Sequence, residues 1–263
     1  MKILNKGNYS GQVGYCSKSA GIAITITTYN QEEFDDRWHC HSNAHFSLVL
    51  KGSSIEKKTS AYGRVAGQVT FYSPYEPHRF MRIVQPCKHL NLEVDRDIFK
   101  TYDLTEEQVL ASLQHPIHPY MLLKIASELR HSNPADNQLV HEFLLQLITI
   151  PYRSSATDST PSWIPIVKEH LHDEWNELIS LTELSRETGV HPVTISKYFP
   201  KYVGCTLSEY RRKCKVDRAL LLLQSANRSL TDIAYECGFF DQSHFIRVFK
   251  KMTGFLPAAY QKM

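Results

Sequence analysis

Apolar and polar positions alternate along the first hundred residues, and apolar positions recur every three to four thereafter. Ile22, Ile24 and Ile26 alternate with Ala23, Thr25 and Thr27; Leu90, Leu92 and Val94 alternate with Asn91 and Glu93. A period of two is that of a strand with one buried face. Between these runs lie Phe46-Ser47-Leu48-Val49-Leu50 and Gln68-Val69-Thr70-Phe71-Tyr72, punctuated by Gly52, Gly63, Gly67, Pro74 and Pro77. Short strands so spaced predict a β-sandwich or barrel over residues 1–100.

From about residue 104 the period lengthens. Leu122, Ile125, Ala126 and Leu129, then Val140, Leu144, Leu147 and Ile148, predict helices over 117–130 and 138–150. Pro116 and Pro134 stand near the helix starts, where a missing N–H costs little, and Pro151 ends the second. Residues 101–153 thus read as a helical annex. Residues 154–162 have almost no apolar content and form a linker. Residues 163–263 read as helix throughout.

The last hundred residues also repeat themselves. Ser180-Leu181-Thr182-Glu183-Leu184-Ser185 recurs as Ser229-Leu230-Thr231-Asp232-Ile233-Ala234, and Gly189-Val190 as Gly238-Phe239, at an offset of 49. Ile195, Phe199, Gly204 and Tyr210 recur as Phe245, Phe249, Gly254 and Tyr260 at an offset of 50. Ser180 with Glu183 is a capping box that starts a helix, and Ser229 with Asp232 is its weaker counterpart. Gly189 or Gly238 ends that helix. A second helix starts at His191-Pro192 or Asp241-Gln242, with Ile195/Phe199 or Phe245/Phe249 facing inward at i, i+4. That is a helix-turn-helix, at about 180–200 and again at about 229–250. Leu207 to Gln224 forms one long helix between them, with Arg211, Arg212, Lys213 and Lys215 on its wetter side.

Charge sharpens this picture. The whole chain carries a net charge of +3. Residues 191–263 hold 12 Lys+Arg against 5 Asp+Glu, a net of +7, whereas residues 1–190 hold 18 against 22, a net of −4. A positive C-terminal end is the footprint of an anionic partner, nucleic acid first. The 42% hydrophobic content excludes a largely disordered chain. No stretch approaches a membrane span and the first residues contain no apolar signal core, so a cytoplasmic protein is expected. The cysteines, at 16, 40, 87, 205, 214 and 237, are scattered without a C-x-x-C, which fits a reducing compartment.

The run Ile233-Ala234-x-x-x-Gly238-Phe239, then Ser243-His244-Phe245-x-Arg247-Val248-Phe249-Lys250-Lys251-x-x-Gly254-x-x-Pro257-x-x-Tyr260, resembles the signature of the AraC/XylS family of bacterial transcription regulators. The likeness covers about residues 163–263. The first module is similar but looser: His191 stands where many members have a capping Ser, and Ser185 where many have Ala. The resemblance implies double-stranded DNA as partner, with the two second helices in successive major grooves. On that reading Val193, Thr194 and Lys197 face the bases in the first module, and Gln242, Ser243, His244 and Arg247 in the second. Arg247 suits a bidentate contact to guanine, and Lys197 a guanine or a phosphate. Lys250, Lys251, Arg211 and Arg212 suit phosphate contacts. A second copy of the chain and RNA polymerase are further partners to consider.

Trp38-His39-Cys40-His41-Ser42-Asn43-Ala44-His45, followed by Gly52 and later by Pro77-His78, resembles the metal motifs of cupins, with His45 where an enzyme-type cupin usually has Glu. His39, His41, His45 and His78 then form either a site for a divalent metal (Zn, Fe, Ni or Cu) or the polar lining of an effector pocket. Cys40 alternates to the opposite face and reads as a buried thiol. The expected fold class is α+β multidomain: an N-terminal cupin-like β-barrel, a helical annex and a C-terminal all-α domain with two helix-turn-helix modules. The expected function is DNA-binding regulation by a small effector or metal, without enzymatic activity. The alternatives weighed are a metal-dependent cupin dioxygenase or isomerase tethered to DNA, and a DNA-repair methyl acceptor, for which the cysteine spacing offers no cluster.

Overall fold

The computed structural model describes residues 1–19, 21–30, 34–131, 138–149, 160–177, 179–225 and 228–263. Its contacts divide the chain into two compact units: Met1–Leu110 with His118–Thr149, and Ala111–Ile117 with Ile150–Met263.

The first unit contains strands β1 (Lys2–Leu4), β2 (Gln12–Ser19), β3 (Ile22–Tyr29), β4 (His39–His41), β5 (Ala44–Lys57), β6 (Ala61–Val65), β7 (Val69–Tyr72) and β8 (Arg79–Val94). Helices α1 (Arg96–Thr101), α2 (Glu106–Ser112), α3 (His118–His131) and α4 (Gln138–Thr149) follow. Six strands form one antiparallel sheet in the order β2-β3-β8-β5-β6, with β7 also on β5. The parallel pair β1–β4 is joined to the start of β8 by a bridge between His39 and His78.

The expected barrel does not close. The paired path ends at β2 on one side and β6 on the other among the described residues, so the sheet is open. Its strands are also longer than short runs suggested: β5 has 14 residues and β8 has 16. Register shifts at Val49/Lys51, Lys51/Ser53 and Ile55/Glu56 bend β5, which takes β7 as neighbour in its first half and β6 in its second.

Alternation here does not mark a wet face. Thr25, Thr27, Asn91 and Glu93 are as buried as Ile24, Leu90 and Leu92. Asn91 Nδ2 donates to Thr25 Oγ1 at 3.4 Å and Thr27 Oγ1 at 3.2 Å, which offsets the cost of enclosing these groups. The opposite, apolar face meets the helices: Phe46 contacts the ring of His118, and Tyr15 donates to the Leu129 carbonyl at 3.2 Å.

The second unit is helical: α5 (Trp163–Asp173), α6 (Leu181–Thr188), α7 (Pro192–Val203), α8 (Leu207–Leu222), α9 (Leu230–Glu236), α10 (Gln242–Thr253) and α11 (Pro257–Gln261). No strand occurs in it among the described residues. The expected linker falls mostly on 150–159, and Pro134 and Pro151 with it, outside the described residues. Residues Ala111–Ile117 belong to this unit; His115 Nε2 lies 3.1 Å from the Gly204 carbonyl at the turn between α7 and α8.

Candidate functional site

Each repeat folds as its local chemistry dictates. Ser180 and Glu183 form the complete capping box of α6, and Gly189 closes it at φ 68°. The Ser229 side chain caps α9 by accepting from Asp232 N. His191 replaces the usual hydroxyl: its Nδ1 accepts from Val193 N at 3.3 Å, so the ring caps α7 and Pro192 opens it. In the second module Asp241 accepts from His244 N at 2.6 Å. Ile195 and Phe199, and equally Phe245 and Phe249, are fully buried, which turns the opposite faces of α7 and α10 outward.

The residues expected to contact DNA differ in their exposure. Val193 is 63% exposed, Lys197 and Ser243 are exposed, and Thr194 is half-buried. Arg247, Lys250, Lys251 and Arg212 are exposed. Gln242 is half-buried and its Oε1 accepts from Thr231 at 2.7 Å, which holds the amide at the start of α10. His244 is tied into the turn: its Nδ1 accepts from Phe240 N and its ring edge meets Phe239. Arg211 is engaged within the domain, donating from Nη2 to the Glu177 carbonyl at 2.6 Å.

In the first unit His39, His41 and His78 come together. Each offers one ring nitrogen, these atoms lie within 4.8 Å of one another, and all three residues are buried. The His39–His78 bridge sets two of the rings side by side, and the third follows two residues along β4. His39 Nδ1 faces the Arg37 carbonyl at 3.1 Å, and His78 Nδ1 faces that of Glu76 at 3.0 Å. A carbonyl only accepts, so Nδ1 carries the proton on both rings and Nε2 keeps its lone pair. Burial lowers the pKa of all three; repulsion between the rings adds to this at His41, brought to about 2, and at His78, brought to about 3. They are neutral at pH 7, the form that ligates. His45 lies outside the trio, stacked on Tyr72 at 4.5 Å, with its ring 4.3 Å from that of His41. The Nδ1 atoms of His41 and His45 are buried without a hydrogen-bond partner among the described residues.

Sequence reasoning missed what lies beside the histidines. Glu56, Arg64, Tyr72, His89 and Asn91 line the same cavity, whose volume is only ≈ 10 Å³. Glu56 and Arg64 form an ion pair at 2.9 Å, 1% and 2% exposed. His89 bridges Ser47 Oγ and Cys87 Sγ, each at 3.3 Å. Cys40 is fully buried, as expected of a packed thiol.

Residues 184–263 match a family described as helix-turn-helix domain. The bifunctional transcriptional activator/DNA repair enzyme AdaA of Bacillus subtilis is 31% identical over 113 residues, 43% of this chain and 53% of that protein. An HTH-type transcriptional regulator of Staphylococcus aureus is 27% identical over 153 residues, 56% of this chain and 20% of its own length. The chain thus spans about half of the first relative and a fifth of the second. ToxT of Vibrio cholerae covers 92% of this chain and 98% of its own at 10% identity, with a TM-score of 0.39. No helix among the described residues is long and apolar enough to cross a membrane. The C-terminal part of the chain, built from two copies of one motif, is a DNA-binding helix-turn-helix domain.

Proposed function

We propose that the whole chain is a transcription regulator whose N-terminal unit senses an effector and whose C-terminal domain reads duplex DNA in two successive major grooves. The observation that carries the reading is the repeat itself. Two helices with matching inward residues present outward faces within the basic C-terminal segment, residues 191–263. A major groove admits one such helix, and one helical turn of DNA separates two. Val193, Thr194, Lys197, Gln242, Ser243 and Arg247 are assigned to base edges, and Lys250, Lys251 and Arg212 to phosphates. RNA polymerase and a second copy of the chain, through residues 101–153, are the protein partners this reading invites.

The first unit is assigned as a cupin-like sensor, and its effector as a divalent metal. The donor set fits: three neutral imidazoles, two of them with Nδ1 oriented by backbone carbonyls, suit Zn, Fe, Ni or Cu. The space fits too. A cavity of ≈ 10 Å³ holds an ion or about one water, whereas organic ligands occupy pockets of roughly 300–1,000 Å³. His39, His41 and His78 would hold the ion, which as a Lewis acid would tie β4 to the residue just before β8. Elemental analysis after loading with each metal tests this. About one ion per chain is expected, with loss of the ion when His41 and His78 are both replaced by Ala. Less than one ion per several chains counts against it.

Selection of binding sites from random duplexes by the full chain tests the DNA reading; no enriched sequence would overturn it. Affinity is expected to fall steeply with salt. Arg247→Ala is expected to cost about 1–3 kcal/mol on the selected site and to relax preference at one base pair. Lys250→Ala should weaken all duplexes alike. Equal, sequence-independent losses in both variants would misplace the base-reading face.

A further inference from the structure

Helix α8 joins the two helix-turn-helix modules, but it is not their only connection. The loop after α5 places Trp175 against the core of the first module and then reaches the turn of the second. Trp175 Nε1 donates to the carbonyl of Glu236, the last residue of α9, at 3.4 Å. The next residue, Asn176, lies flat against Gly238: a Cβ built on Gly238 stands 2.6 Å from both the Cα and the carbonyl oxygen of Asn176. Gly238 thus answers two demands, a φ of 69° in the turn and the close approach of a second backbone.

Basic side chains of α8 close this joint. The Arg218 guanidinium sits over the Trp175 ring, 5.0 Å from its centre, and pairs with Glu236 at 3.3 Å. Lys215 Nζ donates to the Gly238 carbonyl, and Arg211 grips the Glu177 carbonyl in the same loop. Three cations in a DNA-binding domain are thereby directed at the protein's own carbonyls and carboxylates.

A single connecting rod leaves one freedom, rotation of the second module about the rod. A contact off the rod's axis removes it. We propose that the joint of Trp175 with Glu236 and Gly238 is the spacing gauge of this reader: it fixes how far and at what angle α10 stands from α7, and so which separation of half-sites the protein accepts. This rests on the assignment of α7 and α10 as the two reading helices. Arg218 and Trp175 are positioning residues on this account; neither lies on a reading face.

The test uses the full chain and the site it selects from random duplexes, remade with one or two base pairs added or removed between the half-sites. Each added base pair moves the second half-site along the axis by about 3.4 Å and turns it around the duplex, so the wild type is expected to lose roughly tenfold or more per step. Trp175→Ala is expected to bind the optimal duplex about tenfold more weakly yet the altered spacings almost as well as the wild type does, which flattens the profile. Trp175→Phe, which keeps the ring beneath Arg218 and loses the N–H bond, should fall between. A Trp175→Ala profile that keeps the wild-type shape, whatever its overall level, overturns the gauge. If circular dichroism shows that Trp175→Ala does not fold, Arg218→Ala must flatten the profile instead, and an unflattened profile there overturns the gauge. A wild-type chain that selects no sequence overturns the DNA reading and the gauge together. One that selects a site and tolerates every spacing overturns the gauge alone.

Discussion

Replacing Arg64 by Met is expected to destabilise the N-terminal unit by about 3–5 kcal/mol, because it strands a buried carboxylate. Glu56 lies 2.9 Å from Arg64 and also accepts from Ser54 at 3.0 Å, from Tyr62 at 3.4 Å and from Tyr72. Burial alone would raise the pKa of this carboxyl. Arg64, then His89 and the hydrogen bonds, overcome that and hold it at about 2, against an ordinary 4.5. A folded-state pKa below the unfolded value means a contribution to stability that is complete above about pH 4.5 and lost as the pH falls toward 2, about 3 kcal/mol in all. Without Arg64 the direction reverses: the carboxyl takes up a proton on folding, so the loss is largest at neutral pH and shrinks in acid. Urea melts at pH 7 and pH 4 measure this. Arg64→Met with Glu56→Gln should recover most of the loss, since both charges are then gone. A single variant within about 1 kcal/mol of wild type at pH 7 would show that the pair is not the buried ion pair described.

That pair also shows where sequence reading stops. The C-terminal half is legible because its signals are local. Ser180 and Glu183, Gly189, and Ile195 with Phe199 each act within one turn of helix, and the repeat marks them twice. Even the departure at His191 is local, since an imidazole nitrogen serves the cap that a hydroxyl serves elsewhere. The sheet is different. Whether β2 meets β6 is decided by bends at bulges in β5, and no residue announces them. The same strand pattern suits a wet face or a polar interior, so Thr25, Asn91 and Glu93 gave no warning of burial. A signal for Glu56 and Arg64 did exist. A hairpin that pairs Ser54 with Arg64 and Glu56 with Tyr62 sets the two charges diagonally on one face. Opposite charges offset by two positions across such a hairpin can be sought in a sequence.

Charge counting is informative about sign and silent about address. Of α8, Arg211 and Arg212 were expected to contact phosphates, yet Arg211 donates to the Glu177 carbonyl, and on the same helix Lys215 donates to Gly238 and Arg218 to Glu236. The excess positive charge of the domain still points to DNA, and exposed cations for it include Arg247, Lys250 and Lys251 on α10 together with Arg212 and Lys197. The histidines were legible in part for the opposite reason. Their spacing places His39 and His41 on one short strand, but only the bridge from His39 to His78 brings in the third ring, and His45 turns to stack on Tyr72.

Phe245→Ala is expected to cost the C-terminal domain about 3–5 kcal/mol, the range for removing a fully enclosed ring. Phe245 has no exposed surface and meets Phe239 at 5.2 Å and Phe249 at 5.6 Å, so deletion leaves a cavity between rings that are themselves anchored. Its counterpart Ile195 is equally buried but smaller, and Ile195→Ala should cost about 2–5 kcal/mol. The repeat therefore predicts losses of comparable size at positions 50 residues apart, a relation that an accidental likeness between helices would not impose. The domain should melt earlier in both variants while the transition of the sheet unit stays in place, since the two units are separately compact. DNA binding should fall with the fraction of unfolded domain. It should fall further in Phe245→Ala even under conditions where the domain remains folded, because the start of α10 is held through Phe239 and His244, which pack beside the deleted ring. Denaturation followed by near-ultraviolet circular dichroism, paired with titrations on the selected duplex, separates the two effects. A Phe245→Ala chain that melts like the wild type would mean that the second module does not have the core on which its reading face depends.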